Sequence, residues 1–401
     1  MKTQQERVVY FIVQCLLFLV SPLLSLILCA VYYKEYISQF FFILFAFYFG
    51  YQTDVVMDLA NHYSTLKYFV DPSVNPWTHP YVLYLGKEPF HFIFKYIVSF
   101  FSTDSRFFAG VAAATYAFIF LSFFNRLRPF YLQKMSQYQV LALCGIVFCV
   151  EYFLYLGLRY WNGAFFFLCF YLQYVLTNKN KYLFFSFGAI LFHFVHIFPV
   201  LCAIATVFFG KNSKIKYIIL SVSLIVRFFG GPLIFYFLDI FSSLKQTIVK
   251  DKFFNSNYQE IVLKEAEWRA QYGNIVYENR EYVSFTILSI VYFLIWKRNK
   301  QFYLQYNKFY SFVIYMFSMS NFVHHSGEVL DERITKFFIL SLFVYLFLIL
   351  NDKQNLLINK NNLVKIIFML LIIFIALTAI VEQRKYLFDL IIWVGNPFVM
   401  Q

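Results

Sequence analysis

Charge is scarce in this chain. Asp, Glu, Lys and Arg make up 14% of its 401 residues, against about 25% in an ordinary soluble domain. Nucleotide and redox motifs are missing too. There is no G-x-x-x-x-G-K-S/T phosphate loop and no Rossmann glycine pattern, so no nucleotide-driven pump is indicated. No G-x-S-x-G elbow and no H-E-x-x-H helix motif occur. The six cysteines (Cys15, Cys29, Cys144, Cys149, Cys169 and Cys202) form no CxxC pair and all sit in apolar runs. They read as small core residues, without disulfides or zinc. No small-residue cleavage site follows the first apolar stretch, so a removable signal peptide is not expected. Internal repeats and low-complexity linkers are also absent, which predicts one domain over 1–401.

What is present is hydrophobic. Apolar residues reach 61% and the mean hydropathy is +0.62. One core of this length does not need that many apolar segments, and the surplus requires lipid around it. Disordered, collagenous, coiled-coil and disulfide-rich secreted classes are excluded. The runs are long and unbroken, not ten-residue alternating strands, so the expected class is an all-α polytopic membrane protein. Runs of spanning length fall at 9–32, 38–55, 107–124, 138–156, 160–177, 215–238, 283–297, 308–323, 335–350 and 363–381. About 10–12 transmembrane helices are expected once re-entrant or broken ones are included.

Two stretches do not fit a plain span. Residues 89–102 are short and carry Lys95. Residues 182–209 are too long for one helix and hold His193, His196 and Pro199. If the basic flanks Lys179–Lys181 and Lys211–Lys216 both face the cytoplasm, 182–209 must be two short helices turning near His193. Irregular backbone at that depth survives only under protein or beside a wet cavity, so such breaks point to a site.

The net charge of +13 comes from 34 Lys and Arg against 21 Asp and Glu. Most cations lie in short breaks between apolar runs, which suits cytoplasmic loops facing anionic lipid, not nucleic acid. The breaks 125–134, 179–181, 211–216, 297–308 and 353–365 then share the cytoplasmic side. The N-terminus, with Lys2 and Arg7, comes out external on this reading. The external side collects Asp58, His62, Tyr63, Glu88, Arg159, His193, His196, His324, His325 and Arg333. The hydrophilic loop 239–282 has Tyr258, Ile261, Val262, Trp268 and Tyr272 at roughly helical spacing, with Arg269 between them. It reads as an amphipathic surface helix over a cavity.

Arg159 and Arg227 lie inside apolar patterns and Arg333 opens one. An ionised residue there is costly and is by default a functional candidate. A guanidinium forks onto phosphate oxygens as lysine cannot, so Arg159, Arg333 and Arg227 are the candidate diphosphate-binding set. Asp58, Glu88 and His193 are the candidate proton acceptors for a sugar hydroxyl. His62, Tyr63, His196, His324, His325 and Arg269 are further cavity candidates. No metal ligand set and no cofactor are expected.

The order of these residues resembles a known family. Asp58 to Tyr63, Glu88-Pro89-Phe90 opening an apolar helix, Arg159 starting a span, a broken helix at His193 and Arg333 before a late span are similar to the EpsG-like family. These are bacterial polysaccharide polymerases grouped with Wzy. The likeness covers about residues 50–350. It implies a polytopic, glycosyltransferase-like helical bundle in the bacterial cytoplasmic membrane with its active site facing outward. It implies polymerisation of undecaprenyl-diphosphate-linked oligosaccharide repeat units into capsule, exopolysaccharide or O-antigen, independent of metal. Partners implied are the polyprenyl-diphosphate-linked oligosaccharide, membrane lipid, a flippase and a chain-length regulator. Alternatives from other classes are a polyprenyl-phosphate-sugar-dependent glycosyltransferase, an O-acyltransferase acting on exported glycan, and a flippase or transporter of lipid-linked glycans. A flippase would carry internal repeats and charge through its whole depth; here the candidates cluster on one face.

Overall fold

The computed structural model describes residues 4–33, 35–52, 63–79, 88–131, 137–148, 158–210, 213–229, 300–323 and 328–349, together with 135, 369, 370 and 373. Every regular element among them is helical and no strand occurs. The described chain gathers into two compact units. The first holds 1–131, 151–197 and 382–401; the second holds 132–150 and 198–381.

The first unit begins with α1 (Gln4–Val20), α2 (Pro22–Val31) and α3 (Tyr36–Gln52). The run 9–32, expected as one span, is folded in two at Ser21-Pro22. Ser21 has extended backbone, and Pro22 opens the next helix where its missing N–H costs nothing. Tyr10 on α1 hydrogen-bonds Ser38 at 2.6 Å, and Gln14 accepts from Ser25 at 2.7 Å. The break is thus closed by polar side chains that a sequence pattern of apolar residues does not reveal.

Next come α4 (Pro89–Ser99), α5 (Ser105–Tyr131), α7 (Leu158–Thr177) and α8 (Asn180–Ser186), with α6 (Gln137–Phe148) belonging to the second unit. Helix α3 packs antiparallel on α5. Gln39 and Asn125 exchange amide hydrogen bonds at 2.9 and 3.2 Å at one end. Towards the other end Gly50 lies so close to α5 that an added Cβ would meet the Ala109 carbonyl oxygen at 2.6 Å. Small residues let the two backbones approach in this way. Helices α5 and α7 run the same way: Phe165 packs on Tyr116 and Phe120, and Arg126 reaches Cys169. Helix α5 therefore ends level with the end of α7.

The chain turns back after α7 at Asn178, the one non-glycine residue among those described with positive φ, at 56°. Asparagine tolerates that left-handed conformation better than most residues. Helix α8 then climbs antiparallel along α7, with Phe185 against Phe170 and Phe192 against Phe166. It tightens into a 3₁₀ turn, Phe187–Leu191, breaks at His193 and resumes as a second 3₁₀ turn, Phe194–His196. The expected break near His193 is present. One end of this unit carries Arg126, Arg128, Lys179 and Lys181; the other carries Glu88, Arg159 and His193.

The second unit contains α6, α9 (Ile197–Phe209), α10 (Ser213–Phe229), α11 (Lys300–Val323) and α12 (Glu328–Ile349). Helices α10 and α11 are parallel: Lys216 meets Asn307 and Ser311, and eleven residues on Arg227 meets Asn321. Helices α11 and α12 form an antiparallel pair, with Ser320 on Thr335 and Phe317 on Phe338. The Phe343 ring of α12 lies against Gly145 of α6. Among the described residues one helix, Ser105–Phe130, is long and apolar enough to cross a membrane by length and composition. The loop 239–282 and the runs 283–297 and 363–381, apart from 369, 370 and 373, lie outside the described residues.

Candidate functional site

Two helix starts meet in the first unit. Glu88 stands just before Pro89, which opens α4, and its backbone is extended. Arg159 lies in the first turn of α7. The Arg159 guanidinium donates to the Glu88 carboxylate at 3.1 Å, with side chains 20% and 11% exposed. The pair is largely desolvated yet reachable. The sequence assigned these residues to two roles, and the structure brings the side chains together.

Tyr160 follows Arg159 and packs against both histidines of the chain break. Its ring is stacked on His196 at 5.4 Å and 15°. His193 approaches edge-on at 6.3 Å. Helix α4 reaches the same region through Phe90, whose ring lies 4.0 Å from that of Phe192. Glu88, Arg159, Tyr160, His193 and His196 thus belong to one cluster.

The two histidines differ in what they can do. His196 is wholly buried, and its Nε2 lies 2.9 Å from the Tyr160 carbonyl oxygen. A carbonyl only accepts, so Nε2 carries the proton. The ring rests on Gly163, where a Cβ would fall 2.3 Å from ring atoms. His196 therefore fastens the broken segment onto α7. His193 instead caps the following 3₁₀ turn: its Nδ1 accepts the Val195 N–H at 3.1 Å. In the neutral ring the proton then sits on Nε2. In that tautomer the His193 Nε2 is a hydrogen-bond donor, not an acceptor.

Sequence reasoning passed over Asn162. It lies one helical turn beyond Arg159, is fully buried, and neither amide atom has a hydrogen-bond partner. An asparagine inside the run 160–177 is the signal that could have found it. Lys95 is buried as well, and donates from α4 to Thr65 at 2.9 Å.

Tyr63 is exposed in the first unit. Arg227 and Arg333 belong to the second unit. Arg227 is buried and donates to Asn321 at 3.3 Å, which in turn donates to Ser223 at 3.2 Å. Arg333 is half-buried on α12, near the Asp331–Thr335–Ser320 hydrogen bonds. Asp58, His62, His324, His325 and Arg269 lie outside the described residues. Among the described residues no group of three or more His, Cys, Asp or Glu is placed to hold a metal ion.

The loop before α4 is held by its own side chains. Asp71 accepts the Ser73 N–H and hydroxyl at 2.9 and 2.6 Å, and these bonds hold its carboxyl below the usual aspartate range. Asn75 caps the next turn through Trp77 N–H, and the Trp77 ring packs on Phe92 of α4 at 4.6 Å.

No family model, curated protein or solved structure matches the chain.

Proposed function

We propose that this protein is a multi-pass membrane glycosyltransferase that polymerises polyprenyl-diphosphate-linked oligosaccharides at the outer face of a bacterial cytoplasmic membrane. The observation that carries the reading is the Glu88–Arg159 pair, next to the Tyr160 that packs on His193, at the end of its unit opposite Arg126, Arg128, Lys179 and Lys181. Basic residues mark the cytoplasmic side, so the cluster faces out, where exported glycan is handled. The parallel course of α10 and α11 agrees with two spans that leave the cytoplasm in the same direction.

The geometry also suggests how the chemistry is coupled. A diphosphate arriving at Arg159 competes with Glu88 for the guanidinium, and a dianionic group forks onto it more strongly than one carboxylate. Displaced, Glu88 becomes available to take the proton of the acceptor hydroxyl. The acceptor oxygen then bonds to the anomeric carbon of the donor glycan. The bond from that carbon to the diphosphate breaks, and polyprenyl diphosphate leaves with the electron pair. Arg159 and the His193 Nε2–H offset the growing negative charge. Glu88 is the preferred base over His193, because the His193 lone pair is already used by Val195 N–H.

Arginine replacement tests this. Arg159→Ala should abolish long-chain polymer while the protein remains inserted and folded, and Arg159→Lys should restore little, since a point charge cannot replace the planar fork. Normal polymer length from Arg159→Lys refutes the diphosphate role.

A further inference from the structure

The N-terminal helices are inside out. On α1 the buried side chains are Tyr10 and Gln14, while Val8, Val9, Ile12, Leu16 and Val20 point outward and are 51–68% exposed. On α2 Ser25 and Cys29 are buried, while Leu24, Ile27 and Val31 are exposed. The buried groups form one knot. Gln14 donates to Tyr10 at 2.8 Å and to the Cys29 sulfur at 3.4 Å, and accepts from Ser25. Tyr10 joins Ser38 at the start of α3. In water this arrangement would be upside down, because apolar faces seek cover and polar ones solvent. In hydrocarbon it is the required one, because buried polar groups must satisfy each other.

Direction follows from the same contacts. Gln14–Ser25 and Tyr10–Tyr32 set α2 antiparallel to α1. Phe11 packs on Phe41 and Phe18 on Tyr48, so α1 is parallel to α3. Tyr10 is thereby level with Ser38, and its neighbours along α3 and α5 are Gln39, Asn125 and Arg128, the last lying over the Tyr36 ring at 5.6 Å. From Tyr10 to the turn at Ser21 is about eleven residues, or about 16 Å of helix. That is roughly half of a ~30 Å hydrocarbon core. Part of the backbone at the turn is paired. Ser21 N–H bonds Leu17 O, Ser21 O accepts Ser25 N–H, and Pro22 has no N–H to satisfy.

We propose that residues 4–31 form a re-entrant hairpin seated in the cytoplasmic leaflet. Its outer face lies against acyl chains, and Arg7 shares the lipid-phosphate level with Arg126 and Arg128. The start of α1 is then cytoplasmic, not external, and Arg7 joins the other basic residues on the positive side. The inference rests on the membrane part of the reading above, not on the polymerase chemistry.

Single cysteines at Gln5, Glu35 and Asp104, introduced one at a time, test it with a membrane-impermeant maleimide and the unaltered chain as blank. Gln5→Cys and Glu35→Cys should react only in inverted membrane vesicles, and Asp104→Cys, at the start of α5, only in intact cells. Reaction of Gln5→Cys in intact cells while Glu35→Cys stays silent would restore a single span over 9–32 and overturn the hairpin. Reaction of both in intact cells would overturn the leaflet assignment. Polymer production does not enter either readout, so failure of the polymerase chemistry leaves these labels unchanged.

Discussion

Adding one methyl group at Gly163 should loosen the whole cluster. Gly163 sits on α7 beneath the His196 ring, and an alanine Cβ there would lie 2.3 Å from Cδ2 and Nε2, and 3.1 Å from the Phe192 Cβ. The ring cannot simply retreat. It is stacked on Tyr160 and bonded to the Tyr160 carbonyl at 2.9 Å. Overpacking of this kind costs about 1–3 kcal/mol. Losing the histidine hydrogen bond adds about 0.5–1.5 kcal/mol. Alanine's better helix propensity returns about 1 kcal/mol. The expected net loss is about 0.5–3.5 kcal/mol.

Thermal unfolding in detergent, followed by tryptophan emission, measures this loss, since Trp161 is buried two residues away. A double-mutant cycle isolates the cause. Removing the ring removes the clash, so Gly163→Ala in a His196→Ala background should cost less than in the native chain. Equal costs in both backgrounds, or a Gly163→Ala protein as stable as the native one, would refute the close approach. On the polymerase reading proposed above, the same change should also shorten the polymer more than its stability loss explains, because His193 lies three residues before His196.

Two further outcomes follow from the structure. Lys216 is buried and donates to Asn307 and Ser311 at 3.3 and 3.1 Å, so Lys216→Met should destabilise the second unit by about 1–3 kcal/mol by removing the donor; an unchanged melting temperature contradicts this. The Asp71 carboxyl is held low by Ser73. Its contribution is complete above the ordinary aspartate value of about 4 and disappears as pH falls through the lowered one. Trp77 emission should therefore be flat from neutral pH to about 4 and change only below it, and Asp71→Asn should abolish that acid transition.

The helical class was legible because long apolar runs at this composition admit few other readings. The break at His193 was legible because the run 182–209 exceeds a membrane's thickness and carries histidines and a proline. The fold at Ser21-Pro22 was missed. The residues that close it, Gln14, Ser25 and Ser38, are isolated polar side chains within apolar sequence, and only their mutual geometry identifies them as partners. The meeting of Glu88 with Arg159 is similar. Seventy-one positions separate them, and nothing local to either residue announces the other. The sequence marked Arg159 as costly in its surroundings and Glu88 as the residue before a helix-opening proline, whereas the different roles of His193 and His196 depend on which backbone group each ring faces.

Helix length alone is a poor guide to the environment of this chain, since α1, α3 and α10 each have 17 residues, the lower limit for a crossing. Which side chains are buried is a better one. On α10, in a different unit from the N-terminal hairpin, Lys216, Ser223 and Arg227 point inward while Ile218, Val222 and Ile225 are exposed. The inward residues bond across to α11 through Ser311 and Asn321. A water-soluble bundle with this polarity would expose its apolar stripes and bury two cations, losing on both counts. In lipid both choices become favourable, because the stripes meet acyl chains and the cations meet oxygens that hydrocarbon cannot supply. Two separate units follow the same inverted rule. That agreement supports the membrane reading more strongly than the length of any one helix, and on that reading the polar Glu88–Arg159 pair is among the groups that must find their partners within the protein or in a bound substrate.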